Sequence, residues 1–523
     1  MKPLSPRADP VDSSASLADA ASRIARVLQA KDGIREASVL RAERAGWIGF
    51  VVADDKYLDG AMERAQAAQS ALNRWRKSFD LTHFTAGALS KPVGLNIQGW
   101  NSSYTLEELP EGEMLEWVQL TVSRILGFEP KAAYEIGCGT GMLMLRVAPT
   151  CQRYVAVDFS PATLDRVRTQ LTSFPTLETS IELLERMADD FSGFDQNSFD
   201  TVVLNSVAQF FPNSSYLTRV LEGAIDIVRP GGRIFAGDMQ SLPLRKLFLS
   251  SVELFRSDEG QPLSDVADRV LRRMRLEPWL YVSPAYFLHL AATHRKVSRV
   301  EIEPRPGNAD NEVTRYRYNA ILHVGEPYGP RSEIPFEDWR EHQWRLEEIK
   351  ELIRTQAGPF GIKCIPNSRV TLDDDAFEEI RRADVSMTVR DLKRKLDQLP
   401  THGIHPQQLV DLAKGEGEIK LSWAACRHDG SYDAVFFPAH SRGSSLHAQA
   451  INWPQPDRTE YLTLTSRPGQ SSFLSDFVRQ ITDSCRNNLP PELAPAAVHL
   501  VDTLPEEMDQ ASLAQLIDGL DGL

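Results

Sequence analysis

Cysteine is scarce: 523 residues hold five, Cys138, Cys151, Cys364, Cys426 and Cys485, with no CxxC and no Cys/His ligand spacing. An odd number of scattered thiols argues against a disulfide framework or a zinc site and points to reduced cysteines in a cytosol. Basic charge is also in short supply. With a formal net charge of -14, the chain lacks the positive surface that non-specific binding to nucleic acid or anionic membrane requires. Long apolar runs are missing as well. The opening MKPLSPRADPVDSSAS carries no apolar signal core, and no later segment is long enough without charge to span a bilayer. These absences together predict a cytoplasmic protein with no nucleic-acid or membrane partner. A composition of 42% hydrophobic and 25% charged residues is that of an ordinary globular protein, long enough for about three domains.

One stretch organises the rest. Tyr134 to Gly141, YEIGCGTG, joins an apolar strand (Ala132 to Ile136) through Gly137, Gly139 and Gly141 to the opening of a helix at Met142 to Val147. Such a turn lets main chain approach a nucleotide-like ligand closely. The GxGxG spacing, with Glu135 just before it, departs from the GxGxxG of dinucleotide binders at the third glycine and favours S-adenosylmethionine over NAD. A purely structural strand-to-helix turn is the competing reading.

In chain order, residues 1–16 are rich in Pro, Ser and Asp and read as a flexible tail. A helix at Ser16 to Ala30 and strands at Ala37 to Leu40 and Ile48 to Val52 make an α+β fragment too poor in apolar residues to close a core alone. Residues 58–81 read as an amphipathic linker helix. The segment NIQGWNSSYT, from Asn96 to Thr105, precedes a helix at Glu108 to Leu126; its Trp100 and Tyr104 either cover a bound cofactor or pack inward from a capping loop.

From Ala132 strands and helices alternate, the signature of a doubly wound, mostly parallel sheet. Tyr154 to Val157 ends in Asp158, about 20 positions after the first glycine, where a carboxylate accepts from ribose hydroxyls or caps the helix after Phe159-Ser160-Pro161. Ile181 to Glu185 is followed by Asp189 and Asp190, candidates for an adenine amino group or plain loop charge. Phe199 to Asn205 delivers Asn205, Ser206 and Gln209 to the same edge. A helix at Leu217 to Val228 stops at Arg229-Pro230-Gly231-Gly232, before a strand from Arg233 to Gly237 that ends at Asp238. Val297 to Glu303 and Tyr316 to Val324 close the sheet as an antiparallel hairpin. Between them and Asp238 lies a helical insertion over Met239 to Lys296, longer than an ordinary connection. Its Arg269, Arg272, Arg273 and Arg275 form a basic cluster, or a solvated face balanced by Asp265, Asp268 and Glu277.

Residues 331–454 read as an α+β extension. It has helices at Phe336 to Thr355, Asp375 to Ala383, Thr388 to Leu399 and Pro406 to Lys414, and a strand pair at Ile419 to Ala424 and Tyr432 to Phe436. Asp373 to Asp375 fit a helix N-terminus rather than a metal site, and no metal is expected. A strand at Tyr461 to Thr465, a helix at Phe473 to Asn487 and a strand at Ala497 to Leu500 complete the N-terminal fragment.

Taken together, NIQGWNSSYT, YEIGCGTGMLMLRVAP, FDTVVLNSVAQFFP, VRPGGRIFAGD, RYRYNAILHVG, GIKCIPNSRV and LSWA resemble, in that order, segments of the N-methyltransferase domain that interrupts adenylation domains of nonribosomal peptide synthetases. DGIREASVL and LPPELAPAAVHLVDTLP are similar to the early and late parts of an adenylation C-terminal subdomain. The resemblance implies a class I methyltransferase Rossmann-like α/β core over residues 96–330, with 239–296 as a lid and 331–454 as its extension. It also implies a small subdomain split between 17–57 and 455–523, with 58–95 as linker. Two departures stand out. LPEEMDQASLAQL has no lysine where the adenylation ending carries a catalytic one, and no large adenylation core precedes, so the split subdomain is expected to be a scaffold without amino-acid activation. GDMQS has Gln240 where an arginine is common.

The expected chemistry is in-line methyl transfer, in which the protein aligns nucleophile, methyl and sulfur and excludes water. Asp238 is the first candidate for handling the acceptor amine, with Glu312 and Tyr104 beside it; His323, in mid-strand, is a fourth candidate and otherwise a packed structural histidine. The cofactor-binding candidates are Trp100, Tyr104, Glu135, Gly137, Gly139, Gly141, Asp158, Phe159, Asp189, Asp190, Asn205, Ser206 and Gln209. Three functions remain open at this level: a stand-alone N-methyltransferase acting on an amino acid or peptide tethered to an acyl or peptidyl carrier protein, a methyltransferase of a free metabolite at O, C or S, and a non-catalytic assembly module.

Overall fold

The computed structural model describes residues 11–42, 46–54, 57, 96–97, 99–178, 180–325, 334–382, 386–400, 402–439, 451–457, 463–468, 470–500 and 504. The expected linker helix at 58–81 and nearly all of the lysine-free ending lie outside them. The chain divides into two compact units, one within residues 1–71 and 469–523, the other within 72–468.

In the first unit, strands β1 (Ile34–Ala42) and β2 (Gly46–Ala53) pair antiparallel, and β14 (Ala497–Leu500) joins β2 in parallel. Helices Val11–Gln29 and Gln470–Asn488 belong to the same unit. The helix therefore starts within the stretch expected to be a tail. Ile24, Leu28, Val51, Phe477, Ile481 and Val498 form its core. Neither terminal segment has enough apolar surface to close that core alone, which is why the two come together.

The second unit is built on a seven-stranded sheet. Its strands are β3 (Ala132–Ile136), β4 (Arg153–Asp158), β5 (Ile181–Glu185), β6 (Phe199–Asn205), β7 (Val228–Gln240), β8 (Val297–Pro304) and β9 (Arg317–Val324). The spatial order is β5-β4-β3-β6-β7-β9-β8. All neighbours are parallel except at β9, which runs antiparallel to both β7 and β8. This is the class I methyltransferase sheet. The order reverses beside β3, so the crevice at its carboxyl end is where such sheets take ligands. Tyr134, Ile136, Val155, Val157, Val202, Leu204 and Ile234 are buried along adjacent strands, giving the near-continuous apolar runs of a sheet covered on both faces.

Local chemistry fixes the flanking helices. Ser160 accepts from Thr163 N–H and Pro161 opens helix Pro161–Leu171; Asn213 accepts from Tyr216 N–H ahead of helix Ser214–Ile227. The insertion after β7 is helical as expected, with helices Arg245–Arg256, Leu263–Leu276 and Pro284–Thr293. Two of its arginines are paired within the insertion. Arg269 and Arg273 both reach Glu253, and Arg273 also holds Glu277. The turn-rich connection from β8 to β9 contains helix Glu312–Tyr316, nucleated by an Asn311 capping box.

The extension carries a four-stranded sheet in the order β10-β11-β13-β12, made from Phe336–Asp338, Phe360–Ile365, Tyr432–Pro438 and Gly417–Ser422 respectively. The expected helix at Phe336 to Thr355 is split into β10, helix Trp339–His342 and helix Leu346–Thr355. Gln343 at φ 53° breaks it. β11 was not foreseen: Gly361 and Lys363 interrupt its apolar run. In the stretch 455–468, expected to belong to the split unit, described residues meet the insertion. Thr465 bridges Val282, and Ser466 exchanges hydrogen bonds with Trp279 and Tyr281 of the insertion.

No helix among the described residues is long and apolar enough to cross a membrane.

Candidate active site

A cleft of about 500 Å³ opens at the carboxyl edge of the sheet. That is ample for a nucleoside-sized ligand together with part of a second molecule. One end is made by the glycine turn. Gly137 sits at φ 71° and Gly139 at φ 50°, in the left-handed region that glycine enters without a steric penalty. A Cβ on Gly137 would lie 2.6 Å from Val207 Cγ2. Asp158 Oδ2 accepts from Gly139 N–H at 3.1 Å while its Oδ1 accepts from Ser160 N–H at 3.0 Å, so the end of β4 braces the turn and the next helix at once. Glu135 takes the Tyr154 hydroxyl at 2.8 Å. Burial pushes its carboxyl up to about 8.

Of the expected cofactor residues, Trp100, Glu135, Gly137, Gly139, Asp158, Phe159, Asn205, Ser206 and Gln209 line the cleft. Gly141 does not; at φ 76° it turns the chain toward helix Met144–Val147. Asp189 and Asp190 are not among the residues lining the cleft. Asp189 faces Arg219 at 3.3 Å and Asp190 accepts from Ser192 N–H, while Arg186, Met187 and Ala188, just before them, supply the wall.

Two of the three expected catalytic residues are not among the residues lining the cleft. Asp238 has no exposed surface and stands beneath the cleft. The reason is a bulge: the register of β7 on β9 slips between Ala236 and Met239, and Asp238 adopts φ 59°. Its carboxylate meets Arg317 Nη1 at 2.7 Å, the Ser206 hydroxyl at 2.5 Å and Trp117 Nε1 at 3.4 Å, with Arg305 Nε at 3.9 Å. Burial opposes the charge, but Arg317 and Arg305 hold the carboxyl below the usual carboxylate range. Tyr104 is likewise engaged elsewhere. Its ring packs on Phe248 and Phe255 and its hydroxyl bonds Ser251. Glu312 does line the cleft, yet both its oxygens are taken, by Ser103 N–H at 2.7 Å and the Ser103 hydroxyl at 2.9 Å. That pair ties the segment after Trp100 to the β8–β9 connection. His323 is packed between β7 and β8, with Nε2 3.0 Å from Glu301.

Apart from Gln240, the other end of the cleft was not singled out in the sequence. Phe210, Tyr216, Gln240, Phe248, Glu277, Trp279, Tyr281, Tyr316 and Arg317 all contribute to it. Tyr316 donates to Asp373 at 2.6 Å; burial pushes that carboxyl up to about 6, so the acid expected at a helix N-terminus also supports the cleft wall from the extension. Arg317 lies next to Tyr316 in a strand and carried no signal of its own.

Several cleft atoms have no hydrogen-bond partner among the described residues. Asn205 Oδ1, Gln209 Oε1, Gln240 Oε1 and Tyr281 Oη are all buried in this state, and unmet polar atoms at a cleft wall are what a bound ligand satisfies. The glycine cradle, the braced Asp158 and these atoms fit an adenosyl amino acid.

Residues 134–234 match the family model described as a methyltransferase domain. With the sheet order above, this defines an S-adenosylmethionine-dependent class I methyltransferase domain. Among particular proteins, the chain is similar to chondramide synthase cmdD of Chondromyces crocatus, 33% identical over 418 residues, covering 78% of this chain and 10% of that protein. It is also similar to the beauvericin nonribosomal cyclodepsipeptide synthetase of Beauveria bassiana, 28% identical over 493 residues, covering 88% of this chain and 15% of the synthetase. The chain thus spans a small part of the length of these relatives. Among solved structures, the N-methyltransferase NodS of Bradyrhizobium japonicum bound to S-adenosyl-L-homocysteine aligns with 40% of this chain and 88% of its own at 15% identity and a TM-score of 0.28.

Proposed function

We propose that the chain transfers a methyl group to the amine of an amino acid or peptide held on a carrier protein in nonribosomal peptide-type biosynthesis. One observation carries this reading: similarity to the synthetases reaches over 78% and 88% of the chain, well beyond the matched domain, and so takes in the insertion and extension that wall the far end of the cleft. Similarity confined to residues 134–234 would speak for methyl transfer alone.

In this reading the main chain at Gly137 to Gly139 cradles the amino-acid part of the cofactor, Asp158 accepts from its ribose, and Trp100 and Met187 flank it. S-adenosylmethionine, when bound, supplies an electrophilic methyl on a sulfonium. The protein's own contribution is geometric. Asp238, which also accepts from the Ser206 hydroxyl, holds Arg317 at the wall, Ser103 and Glu312 fasten the covering segment, and the aromatic side chains exclude water from the line of attack. An α-amine beside a thioester is less basic than a side-chain amine, so a weak base is enough to leave it neutral.

The test is methyl transfer from labelled cofactor to an aminoacyl carrier protein and to the same free amino acid. The loaded carrier should be the better acceptor by at least tenfold in kcat/KM. Equal rates would replace the carrier reading with a free-metabolite methyltransferase. Calorimetry showing no cofactor binding would leave an assembly module.

A further inference from the structure

Four carboxylates line the cleft: Glu135, Asp158, Glu277 and Glu312. Two hold bonds through both oxygens: Asp158 braces the glycine turn and the helix after β4, and Glu312 accepts twice from Ser103. Glu135 takes the Tyr154 hydroxyl with one oxygen and lies directly beside the glycine turn. Glu277 stands at the other end of the cleft. It is 8% exposed, and its Oε2 is held by Arg273 Nε at 3.1 Å. Its Oε1 has no hydrogen bond among the described residues.

The surroundings of Glu277 suit a donor-rich, partly apolar group. Trp279 stands against Phe210 with ring centroids 5.2 Å apart, and Tyr281 follows two residues later with its hydroxyl buried and unmet. Gln209 has a fixed orientation. Its Nε2 donates to Ser206 O at 2.8 Å, and its Oε1 is buried with no hydrogen-bond partner among the described residues. Aromatic faces and a carboxylate oxygen together select a nitrogen bearing hydrogens over an acid, a phenolate or a thiolate. Arg317 lines the same cleft and can donate to a carbonyl. Ser466 bonds both Trp279 and Tyr281, so this wall is fastened rather than loose.

We propose that Glu277, on the insertion, holds the acceptor's amine and takes its proton. The assignment deepens the N-methyl transfer reading and rests on it. The neutral amine donates one N–H to Glu277 Oε1 and aims its lone pair at the methyl carbon. The N–C bond forms as the C–S bond breaks, and the C–S electron pair stays on sulfur, which becomes a neutral thioether. The nitrogen is then positively charged. Its proton passes to Glu277, leaving a neutral secondary amine and a carboxylic acid that returns the proton to water when product leaves.

The charged and titratable groups facing Glu277 are Arg273 on the helix that ends just before it, Arg245 and Glu253 on helix Arg245–Arg256, and Tyr281. Burial raises its carboxyl above the usual range and Arg273 opposes the rise. A base shifted upward in this way is better matched to an amine than an ordinary carboxylate.

The test uses the full chain with Glu277→Gln and Glu277→Asp. Arg273 keeps Glu253 in both, so the melting temperature and calorimetric cofactor affinity should stay near wild type. Transfer to an aminoacyl carrier protein should fall about 100-fold in Glu277→Gln, in the range usual for a lost general base. The variant should also lose the limb on which the wild-type rate rises with pH, and Glu277→Asp should restore part of both. Separately, wild type should bind an aminoacyl pantetheine amide at least tenfold tighter than its deamino analogue, and Glu277→Gln should not. A Glu277→Gln rate within threefold of wild type with an unchanged pH profile overturns the assignment, as does equal wild-type affinity for the two pantetheine amides. Equal transfer to free amino acid and loaded carrier, lost in both cases on Glu277→Gln, supports Glu277 and overturns only the carrier reading.

Discussion

The glycine-turn end of the cleft is made from main chain and strand ends within one stretch, Ile136 to Asp158. The opposite end is made from side chains on β7, the insertion, the β8–β9 connection and β9, with support from the extension. The first needs particular backbone angles. The second needs distant elements to be packed correctly, and its anchor is the buried carboxylate of Asp238. The difference predicts that damage to the first end weakens cofactor binding locally, whereas damage beneath the second spreads through the unit.

The largest effect is expected at that anchor. Asp238→Ala leaves Arg317 and Arg305 without their buried counter-charge; Arg305 is 1% exposed and its cation is already disfavoured by burial. Breaking a buried ion pair from one side costs about 3–5 kcal/mol. Chemical denaturation should show a loss of that size. A loss below about 1 kcal/mol would mean that the far end does not depend on this carboxylate.

Gly137→Ala should come next. The new Cβ is placed in a left-handed conformation, which costs about 1–2 kcal/mol, and it also collides with Val207. Cofactor affinity by calorimetry should fall roughly tenfold, the equivalent of about 1.4 kcal/mol. Adding Val207→Ala should recover the collision but not the backbone strain. Full recovery in the double variant would show that space, and not main-chain conformation, makes this end.

How far the sequence reveals each end follows from the same contrast. β3, β5 and β6 have the bounds expected from their apolar runs, and GxGxG with Asp158 marks a cleft wall because backbone geometry leaves local signatures. Asp238 was legible as a strand-end acid, but nothing local announces the bulge that buries it. Glu277, Trp279 and Tyr281 lie in an irregular segment after a helix, with no period to mark them, and meet Gln209 and Arg317 only through the fold. β11 escaped for a related reason: Gly361 and Lys363 break its pattern, and it forms a strand because β10 and β13 pair with it on either side.

A smaller effect should appear in the pH dependence of stability. The Glu135 carboxyl is raised to about 8 in the folded protein, against about 4.3 unfolded. The folded state therefore binds the proton more tightly, and this contribution is full below the unfolded value and lost as pH rises toward 8. Between pH 5 and 8 wild type should lose stability that Glu135→Gln keeps. Parallel curves for the two proteins would place the Glu135 proton elsewhere and weaken the picture of a closed, dry floor under the glycine turn.

The mildest test addresses the division itself. Trp279 touches Phe210 across the far end, and the backbone of its segment is held by Ser466. Trp279→Ala should therefore remove one aromatic face without unfastening the wall. Such a contact is worth about 0.5–1.5 kcal/mol beyond its buried area. The expected result is a severalfold rise in KM for the acceptor, with cofactor affinity unchanged. An equal loss for both ligands would mean that they share this aromatic contact, and the two ends would then be one site with a single wall. A change confined to the acceptor would locate the choice of acceptor on the insertion, the element that lies farthest from the glycine motif in chemical character and carries the fewest local signals in sequence.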